Sequence, residues 1–214
     1  MNTITKGIIM FKNILSVIGG IVLLAVAYMA INFGGMMSKV SSLHPDAMGH
    51  YMDMFKKVLE TGNSADAMIR KVKINDDVST DEAIDIMREI ATDNNFLVVG
   101  DAKMSIKSSI KDPGGKRYIR ILSFCAPSIA EQFIGYSEAF GAFMPCRILI
   151  VEDDEGNRWL YTMSMELMLY GGKALPPEMI EMALKVRGLM YGMMDAAAVD
   201  GEYDFEENKY GESN

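Results

Sequence analysis

Arg147-Ile148-Leu149-Ile150-Val151-Glu152-Asp153-Asp154-Glu155-Gly156-Asn157-Arg158-Trp159-Leu160-Tyr161-Thr162-Met163-Ser164-Met165-Glu166 decides the fold. Arg147 to Asp153 is an apolar, β-branched run that reads as a strand, and Asp153-Asp154-Glu155-Gly156 reads as a hairpin turn with solvated carboxylates. From Arg158 to Glu166, Trp159, Tyr161, Met163 and Met165 alternate with Leu160, Thr162, Ser164 and Glu166. Such period-two alternation marks a half-buried antiparallel strand. The face bearing Trp159, Tyr161, Met163 and Met165 is assigned to the core, with a ligand or haem wall as its second reading.

Three further strands are expected at Met68–Ile74, Phe96–Met104 and Tyr118–Phe124, with a strong turn over Asp112-Pro113-Gly114-Gly115-Lys116. Between the first two, Ser79-Thr80-Asp81-Glu82 forms a capping box, and Ile84, Met87 and Ala91 give one apolar face, so a helix runs from 79 to 92. Pro127 opens a helix to about 141 whose face carries Ile129, Ala130, Phe133, Ile134, Ser137 and Phe140. Pro176-Pro177 start a long helix to about Ala198, with Ile180, Ala183, Val186, Met190, Met193 and Ala197 along one side. The element order predicts an α+β fold: a largely antiparallel sheet of about five strands, split βαβ-like, with helices on one face.

Upstream, no charge lies between Lys12 and Lys39, and the stretch from Ile14 to Phe33 makes a helix of about 30 Å, enough to cross a bilayer core. The run is longer than a signal-peptide core and lacks an Ala-x-Ala site, so it is read as an uncleaved transmembrane anchor over 13–35. Lys6 and Lys12 precede it and only Lys39 follows closely. That bias puts residues 1–12 in the cytoplasm and the remainder outside, in the periplasm of a Gram-negative cell. Ser16 and Gly20 make a small-xxx-small step compatible with a homodimer. A helical connector is expected over 36–65, an α+β domain over 66–198 and an acidic flexible tail over 199–214.

A formal net charge of −8 excludes nucleic acid as a partner and opposes adhesion to anionic lipid. Methionine, at 20 residues, is unusually common, and its scatter along the whole chain argues for a residue-usage habit rather than one dedicated site. None of the glycine pairs has the context of a phosphate or dinucleotide loop, and neither histidine stands in a nucleophile pattern. No catalytic constellation is present, and the composition leaves the cofactor unknown.

Tyr118-Ile119-Arg120-Ile121-Leu122-Ser123-Phe124-Cys125-Ala126-Pro127 and Phe143-Met144-Pro145-Cys146-Arg147 carry a family resemblance. The first resembles the strand–Cys-Asn-Pro–helix segment, and the second the Leu-Pro-Cys element, of the bacterial family named domain of unknown function 302. The similarity spans roughly residues 66–198 and implies a small α+β domain, without implying an activity. Ala126 departs from the family's Asn and removes a side-chain cap from the following helix.

The candidate site is Cys125, Pro127, Pro145 and Cys146. Cys125 ends a strand just before a helix N-terminus, where thiols are activated, while the bland reading of either cysteine is a buried inert residue. A returning helix of about 14 residues would displace Cys146 from Cys125 by about 20 Å, so no disulfide is expected. A second candidate is His44, Met48, His50, Met52 and Met54, whose imidazoles and thioethers suit copper or haem iron. The leading expectation is a non-enzymatic membrane-anchored module binding a small ligand or a partner protein. Thiol-based sulfur or electron transfer through Cys125 is the alternative, followed by soft-metal or haem binding by the His44–Met54 cluster.

Overall fold

The structure, a computed structural model, describes residues 3–107 and 116–201; the turn expected over 112–115 and the tail over 202–214 lie outside the described residues. The chain divides into two compact units between Pro45 and Asp46. The first holds helix α1 (Thr3–Val40), of which Phe11–Met36 is long and apolar enough to cross a membrane. Every side chain from Phe11 to Met36 is exposed.

The second unit begins with α2 (Ala47–Thr61), closed by Gly62 at φ 67°, a left-handed cap that a residue with a Cβ adopts only with strain. A short α3 (Ser64–Ala67) leads into β1 (Ile69–Lys73). Then come α4 (Thr80–Asp93), β2 (Leu97–Lys107), β3 (Lys116–Cys125) and α5 (Pro127–Tyr136). A 3-10 turn over Glu138–Phe143 precedes β4 (Cys146–Glu152) and β5 (Arg158–Met163), and α6 (Glu166–Tyr170) and α7 (Pro177–Val199) complete the fold. The capping box forms as read: the Glu82 amide donates to Ser79 Oγ at 3.1 Å, and the Ser79 amide to Glu82 Oε2 at 3.2 Å.

The five strands form one sheet in the order β1-β5-β4-β3-β2, and every neighbouring pair is antiparallel. It follows that β1 and β2 point the same way at opposite edges, so β1-α4-β2 is a βαβ unit split by three strands. Leu122, Phe124, Ile148, Ile150 and Leu160 project from the inner face into a core shared with α4, α5 and α7. From Val186 to Ala198, every residue of α7 except Asp195 is buried. A helix enclosed on all sides has no need of an amphipathic pattern. Across the sheet edge, Arg120 grips Asp101 through two bonds of 2.8 Å, and Arg88 on α4 donates to the same carboxylate.

Three expectations are corrected. The core face of β5 is Leu160 and Thr162, while Trp159 and Tyr161 lie half-buried on the opposite, helix-free face. Lys71 covers them there, its ammonium 3.8 Å from the Trp159 ring centroid. Aromatic rings read as core, but with helices on one face alone a lysine stem and cation suffice to cover them. The helix from Pro127 ends at Tyr136, because Ser137 turns to φ −157°, ψ 122° and the chain tightens into the 3-10 turn. Strand β5 ends at Met163, and Glu166 already belongs to α6.

Candidate functional site

Inside the second unit, β5, α5, α6 and α7 leave a gap they do not fill. Its walls are a cavity of ≈ 60 Å³ lined by Met144, Cys146, Met163, Met165, Met168 and Met190, with Phe133 and Val186 completing the apolar surface. Unbranched thioethers fill irregular space loosely and rearrange at low cost, which makes such a wall adaptable. Thr162 supplies the hydroxyl in this wall, and that hydroxyl donates to the Arg147 carbonyl at 2.8 Å. The interior therefore offers apolar contact and soft sulfur, and little else. At ≈ 60 Å³ it is smaller than the roughly 150 Å³ cavity that admits benzene, so it suits a narrow chain end and excludes a haem.

Beside the cavity lies a groove of ≈ 820 Å³, and Phe143, Met163 and Met168 line both. That volume lies within the usual range of ligand pockets, about 300–1,000 Å³. One wall of the groove is α2, fixed against α6 by two contacts. The His50 ring stacks on Tyr170 with centroids 5.0 Å apart, and Tyr51 Oη donates to the Gly171 carbonyl at 3.1 Å. A Cβ at Gly171 would collide with the Leu167 carbonyl and come within 3.2 Å of Tyr51 Oη, so glycine is required for this approach. The floor is polar: Arg70 donates from Nη2 to both Asp195 oxygens at 2.8 Å and lies over the Tyr191 ring. Nearby, the buried Arg187 holds Glu166 through bonds of 3.1 and 3.2 Å. Asp53, Lys56, Lys57 and Glu60 form the rim on α2. A charged groove beside an apolar, sulfur-lined cavity is complementary to an amphipathic molecule.

The sequence-derived candidates divide between the two sheet faces. Pro127 occupies the first turn of α5 behind Ala126, which contributes no side-chain cap, and the Met144–Pro145 peptide is cis. Cys146 pairs directly with Phe124, so Cys125 and Cys146 stand one residue out of register on adjacent strands, and the expected separation of about 20 Å is wrong. The reason is the break at Ser137: the chain doubles back and starts β4 beside the end of β3. The thiols are nevertheless free, because alternation turns Cys146 inward with Phe124 and Cys125 outward with Leu97. Burial pushes the Cys146 thiol up to about 11, helped by the neighbouring Cys125 and opposed by Arg147. Cys146 is accordingly a neutral thiol near pH 7, suited to lining a cavity and unsuited to nucleophilic attack.

His44 belongs to the first unit, and within the second the remaining members of the histidine–methionine set divide between two sides of one helix. On α2, Met48 and Met52 are exposed on the outer side while His50 and Met54 face the groove. Asp153 also departs from expectation: instead of a solvated turn carboxylate it accepts bonds from the Trp159 indole at 2.8 Å and from the Glu155 and Asn157 amides at 3.0 and 2.8 Å. Sequence reasoning missed the cavity. Ala183, Val186 and Met190 were legible as one face of α7, and Met163 and Met165 as one face of the alternating stretch, but Met144 and Met168 carry no periodic signal and nothing in the spacing joins the two faces.

The family model described as "Domain of unknown function DUF302" matches residues 70–197. Among solved structures, an uncharacterized conserved DUF302 protein from Bacillus stearothermophilus is similar, at 17% identity and a TM-score of 0.47, over 61% of this chain and 98% of its own. No curated protein matches the sequence.

Proposed function

The chain belongs to the DUF302 family, and on that premise we propose that it is a bilayer-tethered module that binds a small amphipathic molecule. The polar end of the ligand occupies the groove between α2 and the sheet edge, and its apolar end enters the methionine-lined cavity. The observation that carries this reading is that Phe143, Met163 and Met168 line both spaces, which places the groove directly beside the cavity. The tether is α1, whose span from Phe11 to Met36 has the length and composition of a membrane helix. Lys6 and Lys12 ahead of the span favour a cytoplasmic N-terminus and a domain outside the cytoplasm. The absence of an activated nucleophile at Cys146 favours binding over catalysis at this cavity.

Full-length protein in phospholipid nanodiscs, carrying methionine labelled with carbon-13 at the methyl group, tests the reading directly. Titration with water-soluble short-chain alkyl carboxylates and alcohols should shift the methyl signals of Met144, Met163, Met165, Met168 and Met190 and leave Met52 unmoved. Ala183→Val narrows the cavity. Losing burial of about two methylenes, at about 0.8 kcal/mol each, should weaken binding about tenfold. Shifts spread evenly over all methionines, or affinity indifferent to Ala183→Val, would remove the cavity from the binding site.

A further inference from the structure

The outer side of α2 carries an apolar stripe that the described residues leave largely exposed. Met48, Met52, Phe55 and Leu59 are 49, 59, 53 and 70% exposed, and their spacing of four, three and four places them on one helix face. The inner side of the same helix is occupied, through Ala47, His50, Tyr51 and Met54, so the stripe is not spare surface on a poorly packed element. It is about 16 Å long, three turns of helix. Contiguous apolar surface of this kind marks an interaction site.

We propose that this stripe is a lipid-contact surface, with Met48, Met52, Phe55 and Leu59 set into the bilayer interface. The proposal rests on the reading of α1 as a membrane span. The argument is one of reach. The candidate span ends at Met36, α1 continues as helix to Val40, and Met48 follows after eight residues. Four residues of helix and eight of extended chain keep Met48 within about 35 Å of the bilayer edge, whatever path the linker takes. A stripe tethered so closely meets the interface at high effective concentration, whereas a second copy or a free partner must first be recruited. Amphipathic helices with aromatic and aliphatic side chains on one side and charges on the other lie in that interface, and here Asp53, Lys56, Lys57 and Glu60 form the charged side. Those four charges cancel and the chain as a whole carries −8, so the attraction is apolar insertion and not adhesion to anionic lipid.

The test uses full-length protein in phosphatidylcholine nanodiscs. Trp159→Phe removes the single tryptophan, and Phe55→Trp places a reporter in the stripe; Leu59→Trp is made in parallel in case the first variant does not fold. The expected result is a blue-shifted emission that falls at least twofold when the lipids carry brominated acyl chains. It should be shielded from aqueous acrylamide and indifferent to added salt or anionic lipid. Emission quenched by acrylamide and untouched by bromine would overturn the proposal while leaving the anchor intact. So would protection from both quenchers together with a dimer in native mass spectrometry, since the stripe would then meet a second copy. Failure of the unaltered protein to enter the discs would instead remove the anchor, and the stripe proposal with it.

Discussion

Replacing Asp153 by Asn should loosen the β4–β5 hairpin by an amount that depends on pH. Oδ1 of Asp153 accepts from the Glu155 amide at 3.0 Å and from the Asn157 amide at 2.8 Å. Oδ2 accepts from the Asn157 side chain at 3.0 Å and from the Trp159 indole at 2.8 Å. Burial pushes the carboxyl upward, but these donors outweigh it and bring its pKa from 3.8 down to about 2. Discounted for solvent screening at a partly exposed turn, this preference for the charged form is worth about 1–2 kcal/mol. An amide at this position keeps the shape but turns an N–H toward one of the donors. At pH 7 the variant should melt roughly 3–6 °C below the parent, since 1 kcal/mol moves a domain of this size by about 2–4 °C. Because the folded pKa is depressed, the stabilisation is complete above about pH 4 and is lost as pH falls through about 2; roughly half is gone by pH 3. Trp159 is the single tryptophan, so its fluorescence reports melting and the loss of its own hydrogen bond together. A melting gap that stays constant from pH 7 to pH 3, or no gap at pH 7, would refute the assignment of the charge as the organising element.

Phe124→Ala empties a fully buried position between β3 and the helices and should destabilise by about 3–5 kcal/mol in urea unfolding. Ser79→Ala removes half of the capping box and should cost about 1 kcal/mol, with amide exchange accelerated first at Glu82. In a Cys125→Ser background, alkylation of Cys146 at pH 8 should run about a hundredfold slower than for a thiol of pKa 9, and rise with pH up to about 11. A rate that levels off below pH 9 would contradict its burial.

What could be read from the chain was whatever local chemistry fixes. Ser79 and Glu82 announce a helix start regardless of what packs on it, and Pro127 and Pro176-Pro177 do the same. The strands were legible because apolar periodicity survives in any sheet. Which face of a strand turns inward is a different matter. Trp159 and Tyr161 outrank Leu160 and Thr162 in apolar area, yet the helices lie on the other side, and no pattern within β5 reports that. The cysteine pair failed for a related reason. A proline-initiated helix between two strands reads as a crossover until one sees that Ser137 breaks it and returns the chain antiparallel. The cavity depends on side chains gathered from the 3-10 turn, the end of β5, α6 and α7; the faces of α7 and β5 show in the spacing, but their meeting in space does not.

The position of β1 has a consequence for the order in which the chain can be completed. Its sheet partner is β5, with Ile69 opposite Met163, and residues 74–157 lie between these strands. At 5–20 residues per second, a ribosome takes roughly 5–20 s to make the connecting length. During that interval β1 is an open edge, and α7, which fills the core, does not yet exist. The sheet closes only when β5 is made and α7 follows later still, so a product truncated before residue 158 would present an unpaired β1 and a helix layer lacking α7. A check on whether this fold is complete would therefore have to sense its C-terminal third.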